Sequence, residues 1–278
     1  MTTTLRPVGP ERREDDGWRA RDYTVCVNGR PVGAVRLSTD RRFGPHIGRI
    51  DGLAIDEADR RRGRGTVAAL AAEEVLRLWG CTRVETSVPA EAEHGLRLAT
   101  TLGYVERNRN MAKELRGPRP VLPAGSVLRP LTEDEYGPWL EREREGFVVS
   151  LTDRGVPRDQ AEAREAASFD EVLPQGLHTP GTGLYALTHD GAIVGNLWLR
   201  LHDPAAPSGQ GWVFSVEVEA AQRGRGHGRT LMLAAETACR DAGADSLGLN
   251  VFAGNTPAVR LYEALDYRTT ARHLYKTL

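Results

Sequence analysis

The chain has 278 residues, 40% of them hydrophobic and 27% charged, with 37 basic and 38 acidic residues and a net charge of -1. That length suits one large or two ordinary domains, and the charge balance argues against a protein built mainly to hold nucleic acid or an anionic membrane. Cys26, Cys81 and Cys239 are odd in number and far apart, which speaks against a disulfide framework or structural zinc and fits the reducing cytoplasm. The opening MTTTLRPVGPERRED lacks the apolar stretch of a signal peptide. No run approaches the ~20 apolar residues of a membrane helix.

In chain order, Tyr23–Val27 and Val32–Leu37 read as strands of a hairpin across Asn28-Gly29, a strong turn dipeptide. Ile50–Ile55 reads as a strand, Thr66–Trp79 as a helix, Arg83–Val88 as a strand and Leu96–Leu102 as a helix. Residues 117–125 are rich in proline and glycine and cannot continue a helix or central strand, so they read as a linker. Beyond it, Val127–Arg129 is a short strand, and Glu133 to about Val148 and Arg158 to about Phe169 are helix-compatible. Leu184–Thr188 and Ala192–Arg200 flank the hairpin signal Asp190-Gly191. Trp212–Val218 is a strand, Thr230–Ala242 an amphipathic helix that Gly243 stops, Leu247–Phe252 a strand and Pro257–Leu265 a helix. Tyr267–Thr277 supplies one or two closing strands.

The chain repeats itself. A shift of 163 positions superposes Gly63 on Gly226, Gly65 on Gly228, Leu70 on Leu233, Glu73 on Glu236, Gly80 on Gly243, Leu98 on Leu261 and Tyr104 on Tyr267, without a gap. Upstream, Leu5-Arg6-Pro7 matches Leu128-Arg129-Pro130, and Val32-Gly33 matches Val194-Gly195, which leaves 39 extra residues in the second copy. The expected class is α/β: two tandem domains, each a mixed, mostly antiparallel sheet flanked by helices. Residues 1–116 form the first, 117–125 the linker and 126–278 the second.

In each copy a strand runs through an Arg/Gly turn into a helix: Arg60-x-x-Gly63-x-Gly65 and Arg223-x-x-Gly226-x-Gly228. Unpaired N–H groups and the dipole at a helix start, close backbone approach at glycine and nearby arginines together suit a pyrophosphate. The spacing is neither a Walker A loop nor a dinucleotide fingerprint. It resembles motif A of the GNAT acyltransferase superfamily. The segment Asn250 to Tyr267, with Asn255, Ala258, Leu261 and Tyr262 in register, resembles motif B of the same superfamily. Asp266 stands where glycine is usual. The resemblance covers residues 126–278 well and 1–116 more weakly, and the tandem arrangement is similar to that of the mycothiol synthases.

The resemblance implies acyl transfer from acetyl-CoA, without a metal, to the primary amine of a small molecule in a ternary complex. It places the coenzyme on Arg223, Gly224, Arg225, Gly226, His227, Gly228 and Arg229, with Asn255 on the pantetheine arm or capping its helix. Backbone groups of Val216 and Val218 meet the pantetheine and the thioester carbonyl. His227 is expected to face phosphate or solvent. Tyr262 matches the motif B tyrosine near the coenzyme sulfur and is the candidate acid. Glu217 is the candidate base; Glu219 shares its strand face nearer the turn.

In the first copy Tyr262, Asn255 and Glu217 become Ala99, Ala92 and Ala54, while Arg60, Gly63, Arg64 and Gly65 survive. That copy reads as an inactive relic, structural or still coenzyme-binding. The expected partners are the amine alone, with the chain a monomer or homodimer. A protein or peptide N-terminus as acceptor, a non-catalytic acyl-CoA sensor and an Arg/Gly nucleic-acid module are the alternatives weighed; few exposed-looking aromatics argue against the last. The acidic stretch Leu131–Gly183 suits a cationic acceptor or simply a solvated helical face.

Overall fold

A computed structural model describes residues 2–15, 17–153, 155–202 and 209–278. In chain order the elements are β1 Thr3–Arg13, β2 Arg19–Val27, β3 Arg30–Asp40, β4 Gly44–Ile55, α1 Arg64–Leu78, β5 Arg83–Pro89, α2 Glu93–Thr101 and β6 Val105–Glu114. There follow β7 Ser126–Pro130, α3 Glu133–Thr152, α4 Arg158–Val172, β8 Thr182–His189, β9 Ala192–Arg200, β10 Gly211–Val218, α5 His227–Asp241, β11 Ser246–Phe252, α6 Thr256–Glu263 and β12 Arg268–Thr277. No helix among the described residues is long and apolar enough to cross a membrane.

The α/β class and the repeated element order are as the sequence implies. Both hairpins turn through left-handed residues, Asn28 and Gly29 at φ 49° and 82°, Asp190 and Gly191 at φ 49° and 81°. Two whole strands, β1 and β6, are added to those the sequence reading lists, and the other differences are at element ends. The helices after both turns start earlier than their apolar periodicity, at Arg64 and His227, because the turn glycines themselves form the N-caps. Strand β4 reaches back to Gly44, and the C-terminal segment is one strand, β12.

The chain forms two compact units, Met1–Asn108 with Ala271–Leu278, and Arg109–Thr270. In the first, the strand order is β1-β2-β3-β4-β5-β12; in the second it is β6-β11-β10-β9-β8-β7. The pairs β4–β5 and β10–β11 are parallel, whereas β5–β12 and the recorded outer pairs are antiparallel. Each unit therefore contains the last strand of the other sequence copy.

One buried cluster marks that exchange. In the second unit the Lys113 ammonium on β6 lies 2.8 Å from each oxygen of Glu236, which is 3% exposed, with Tyr267 beside it. In the first, Lys276 on β12 lies 3.0 and 2.8 Å from the oxygens of Glu73, which is 1% exposed, with Tyr104 beside it. All three residues repeat at the 163-residue shift, yet each glutamate takes its lysine from the other copy. Burial, with the nearby carboxylate second, holds both tyrosine hydroxyls firmly protonated.

The extra residues of the second copy include α3 and α4. They cover one sheet face with Trp139, Phe169, Leu173, Leu184 and Trp198, while α5 and α6 cover the other through Leu231, Met232, Ala235 and Tyr262. Among the described residues the first unit has no such pair of helices. On its β2 and β3, Tyr23, Val35 and Leu37 pack in the core around Ala72 and Leu76 of α1. The alternating positions carry the cross-strand ladder Asp22–Arg36–Asp51, with Arg12 bonded to Asp22 at 3.0 Å and Arg36 exposed.

Replacing Lys113 by Met should destabilise the protein by ~3 kcal/mol, because Glu236 stays buried without its cation. The double substitution Lys113→Met/Glu236→Leu should recover most of that loss. Denaturant unfolding of the three variants checks both expectations.

Candidate active site

The Arg/Gly turns have one geometry in both copies. Gly226 and Gly63 are the N-caps of α5 and α1 at φ 88° and 71°, and no side chain caps either helix. The first N–H groups of each helix, including those of His227 and Gly228, therefore lack both a helical carbonyl and a capping oxygen. Arg223 Nε donates to the Val218 carbonyl at 3.2 Å, and Arg60 Nε to the Ile55 carbonyl at 2.8 Å. These arginines fold the turn back onto its own strand. Gly228 and Gly65 are fixed by packing: a Cβ there would meet Leu261 at 3.2 Å or Leu98 at 3.5 Å.

The residues between show how far each turn remains adapted to an anion. Gly224 is left-handed at φ 76°; its counterpart Arg61 is forced into the same region at φ 59°. Arg225 and Arg229 are exposed, and Arg229 reaches the Ala264 carbonyl at 3.4 Å. His227 is turned away from solvent: the residue is 6% exposed, and its ring is tilted against that of His189 with centroids 5.1 Å apart. Burial first, then His189 and Arg225, lower its pKa. His189 itself lies 3.0 Å from the Ser126 hydroxyl. The counterpart Arg64 is likewise buried, ion-paired with Asp59, which also accepts from Arg30 at 3.0 and 2.7 Å. It is thus turned inward.

Beyond the turn, β10 pairs with β11 only through Gly211, Trp212 and Val213. A bulge against β9 between Val213 and Ser215 coincides with the parting. From there on, the β10 backbone that includes Val216 and Val218 has no β11 partner. The first copy parts at the matching place, since β4 and β5 pair only over Ile47–Arg49 and Arg83–Glu85.

The bulge sets which side chains face which helices. Val216 and Val218 pack into the core that contains Tyr262, so Ser215 and Glu217 face the other way, toward α3. Tyr262 is 6% exposed, and burial pushes its hydroxyl up to about 12. Glu217 is half-buried and Glu219 exposed. The two candidate proton-transfer groups thus flank β10 from opposite faces. Asn255 caps α6, its Oδ1 accepting from Ala258 N at 3.3 Å, whereas Ala92 leaves α2 uncapped. Asp266 takes the left-handed turn, φ 67°, that Gly103 takes at φ 86°.

Sequence reasoning missed Glu143. This residue of α3 accepts a hydrogen bond from Ser215 Oγ at 2.7 Å. Burial, and then the nearby Glu217, raise its carboxyl above the usual range, against the Ser215 bond that lowers it. The available signal was its place on the apolar stripe of α3, four residues after Trp139 and four before Phe147. Among the described residues no group of three or more His, Cys, Asp or Glu could hold a metal.

An uncapped helix start beside a parted pair of parallel strands, the geometry that suits an anion, thus occurs twice in this α/β chain. The acetyltransferase (GNAT) family matches residues 3–104 and 131–267, and the chain belongs to that family. It is an acyltransferase, and acetyl-CoA is the family's usual donor. The chain is 27% identical to the mycothiol acetyltransferase of Clavibacter michiganensis over 95% of its own length and 87% of that protein's. A GCN5-related N-acetyltransferase from Sphaerobacter thermophilus shares its fold, with TM-score 0.59 and 21% identity over 92% of this chain and 80% of that one. A tandem GNAT protein from the clavulanic acid biosynthesis pathway does so with TM-score 0.51 and 23% identity over 95% and 85%.

Two substitutions that restore second-copy chemistry to the first should each stabilise the protein by about 0.5–1 kcal/mol in denaturant melts. Arg61→Gly relieves a left-handed arginine, and Ala92→Asn supplies a missing N-cap. His227 has a lowered folded pKa, so its contribution is complete above the unfolded value of 6.5 and is lost as pH falls below it. Melting temperatures of His227→Asn and the parent should therefore differ in their pH dependence below that point, the parent falling more steeply.

Proposed function

We propose that the chain transfers an acetyl group from acetyl-CoA directly to the primary amine of a small molecule, in the second copy, residues 126–278. Residues 1–116 are then the inactive relic and 117–125 the linker. The observation that carries the reading is the parting of β10 from β11 beside the uncapped start of α5, with Tyr262 and Glu217 on the two faces of β10. The cradle residues fit the coenzyme: N–H groups at Gly226–Gly228 and the exposed Arg225 for the pyrophosphate, β10 backbone for the pantetheine. Similarity to mycothiol acetyltransferases over most of the chain favours a small-molecule acceptor over a protein N-terminus.

The amine must be uncharged to attack the thioester carbonyl. Glu217, directly or through water, takes the ammonium proton; the C–N bond forms, the C–S bond breaks, and the nitrogen sheds its second proton to solvent as the amide forms. Tyr262 stands on the opposite face, where the sulfur departs. With its pKa near 12, full proton transfer to a thiolate of pKa about 8.5 is uphill. Tyr262 therefore acts as a hydrogen-bond donor to the developing thiolate, which takes its proton from solvent.

A hydrogen bond to a charged group contributes ~1.5–3 kcal/mol, so Tyr262→Phe should lower kcat about 10–100-fold and leave acetyl-CoA affinity nearly unchanged. Thiol release measured across a panel of primary amines, with calorimetric titration of acetyl-CoA, tests this. Unchanged turnover in the variant removes the role; absence of acetyl-CoA binding removes the reading.

A further inference from the structure

The second copy holds a carboxylate that the reaction above does not use. Glu143 reaches from α3 to β10 and is bound there by Ser215. Ser215 and Glu217 lie two residues apart on the same strand face, and the Glu217 charge acts on Glu143. Two carboxylates thus share the α3 face of the strand that carries the proposed base; neither has a recorded ion pair among the described residues, and the only cation acting on Glu143 is the exposed Arg142. Repulsion between them is relieved by a cation placed between.

A second, independent feature lies beside them. Trp198 is directly opposite Ser215 in the β9–β10 register, so the two side chains are neighbours on this face. The indole is 7% exposed and, among the described residues, its Nε1–H has no acceptor. A buried donor without a partner is costly, and a ligand oxygen would satisfy it. Its ring is held by Phe214, Trp139 and Phe169 at centroid distances of 4.7, 5.5 and 5.6 Å. The first copy has alanine in place of Glu217 and lacks the residues of α3 altogether.

We propose that Glu143, anchored by Ser215, is the specificity-determining residue of the acceptor site: with Glu217 it receives the acceptor as its ammonium ion, and Trp198 donates to an oxygen carried near that nitrogen. The acceptor class is an amine with a neighbouring hydroxyl or carbonyl oxygen. Glu143 holds the ammonium and Glu217 takes the proton. The inference rests on the acetyl-transfer reading for the role of Glu217, not for the existence of the binding site.

Calorimetric titration of the CoA-saturated full chain with glucosamine, ethanolamine, cyclohexylamine and ethylene glycol tests it. The oxygen-bearing amines should bind, cyclohexylamine about tenfold more weakly, and the uncharged diol not at all. Glu143→Gln should weaken amine binding about tenfold or more, and Trp198→Phe should abolish the preference for oxygen-bearing amines. In the acetylation assay, Glu143→Gln should raise the amine KM with little change in kcat, the reverse of Tyr262→Phe. Ser215→Ala should give a partial form of the same effect, and Glu141→Gln on the exposed side of α3 should be silent. Equal binding of amine and diol, no amine binding at all, or an unchanged amine affinity in folded Glu143→Gln overturns the proposal. Loss of acetyl-CoA binding by the parent protein overturns the acetyl-transfer reading instead.

Discussion

A carboxylate buried to within a few percent of complete exclusion from water has to meet a cation or lose its charge. Glu73 and Glu236 meet that constraint in the same way, each with a lysine on the last strand of the other copy. The closing strands β6 and β12 are thereby tied to helices α5 and α1, the two helices whose first turns form the anion cradles. In each of these helices the ion-paired glutamate lies ten residues after the glycine N-cap.

Duplication then lets the structure separate what the cradle needs from what the reaction needs. Gly63 and Gly226 share a left-handed N-cap, Arg60 and Arg223 share a bond to the preceding strand, and Gly65 and Gly228 share a leucine neighbour. These features persist in a copy that has lost Tyr262, Glu217 and the α3–α4 pair. They belong to the strand–turn–helix junction that both copies share. What distinguishes the second copy is less the turn than the face beyond the bulge in β10, where Ser215 and Glu217 meet α3.

The sequence revealed the repeat, the hairpins at Asn28 and Asp190, the two turns and Tyr262, because these depend on local spacing and on residues with few conformational alternatives. It did not reveal the exchange of closing strands. Periodicity makes Lys113 and Lys276 equivalent and is silent on which glutamate each one meets. The inward turn of His227 was equally hidden, since a histidine between glycines reads the same whether its ring lies above or below the helix start. Glu143 was legible only in retrospect, as a charged residue on an apolar stripe. Its partner Ser215 is brought to it by a bulge that no single-residue pattern announces.

The ladder Asp22–Arg36–Asp51 puts alternating charge on a sheet face of the first unit that no helix pair covers among the described residues. A bare apolar sheet face there would be a site of aggregation. The exchanged strand gives such a copy a reason to be inherited. A gene deletion that removed the first half would also remove β6, and with it the lysine that pairs with the other half's buried glutamate. The two halves persist or disappear as one heritable unit.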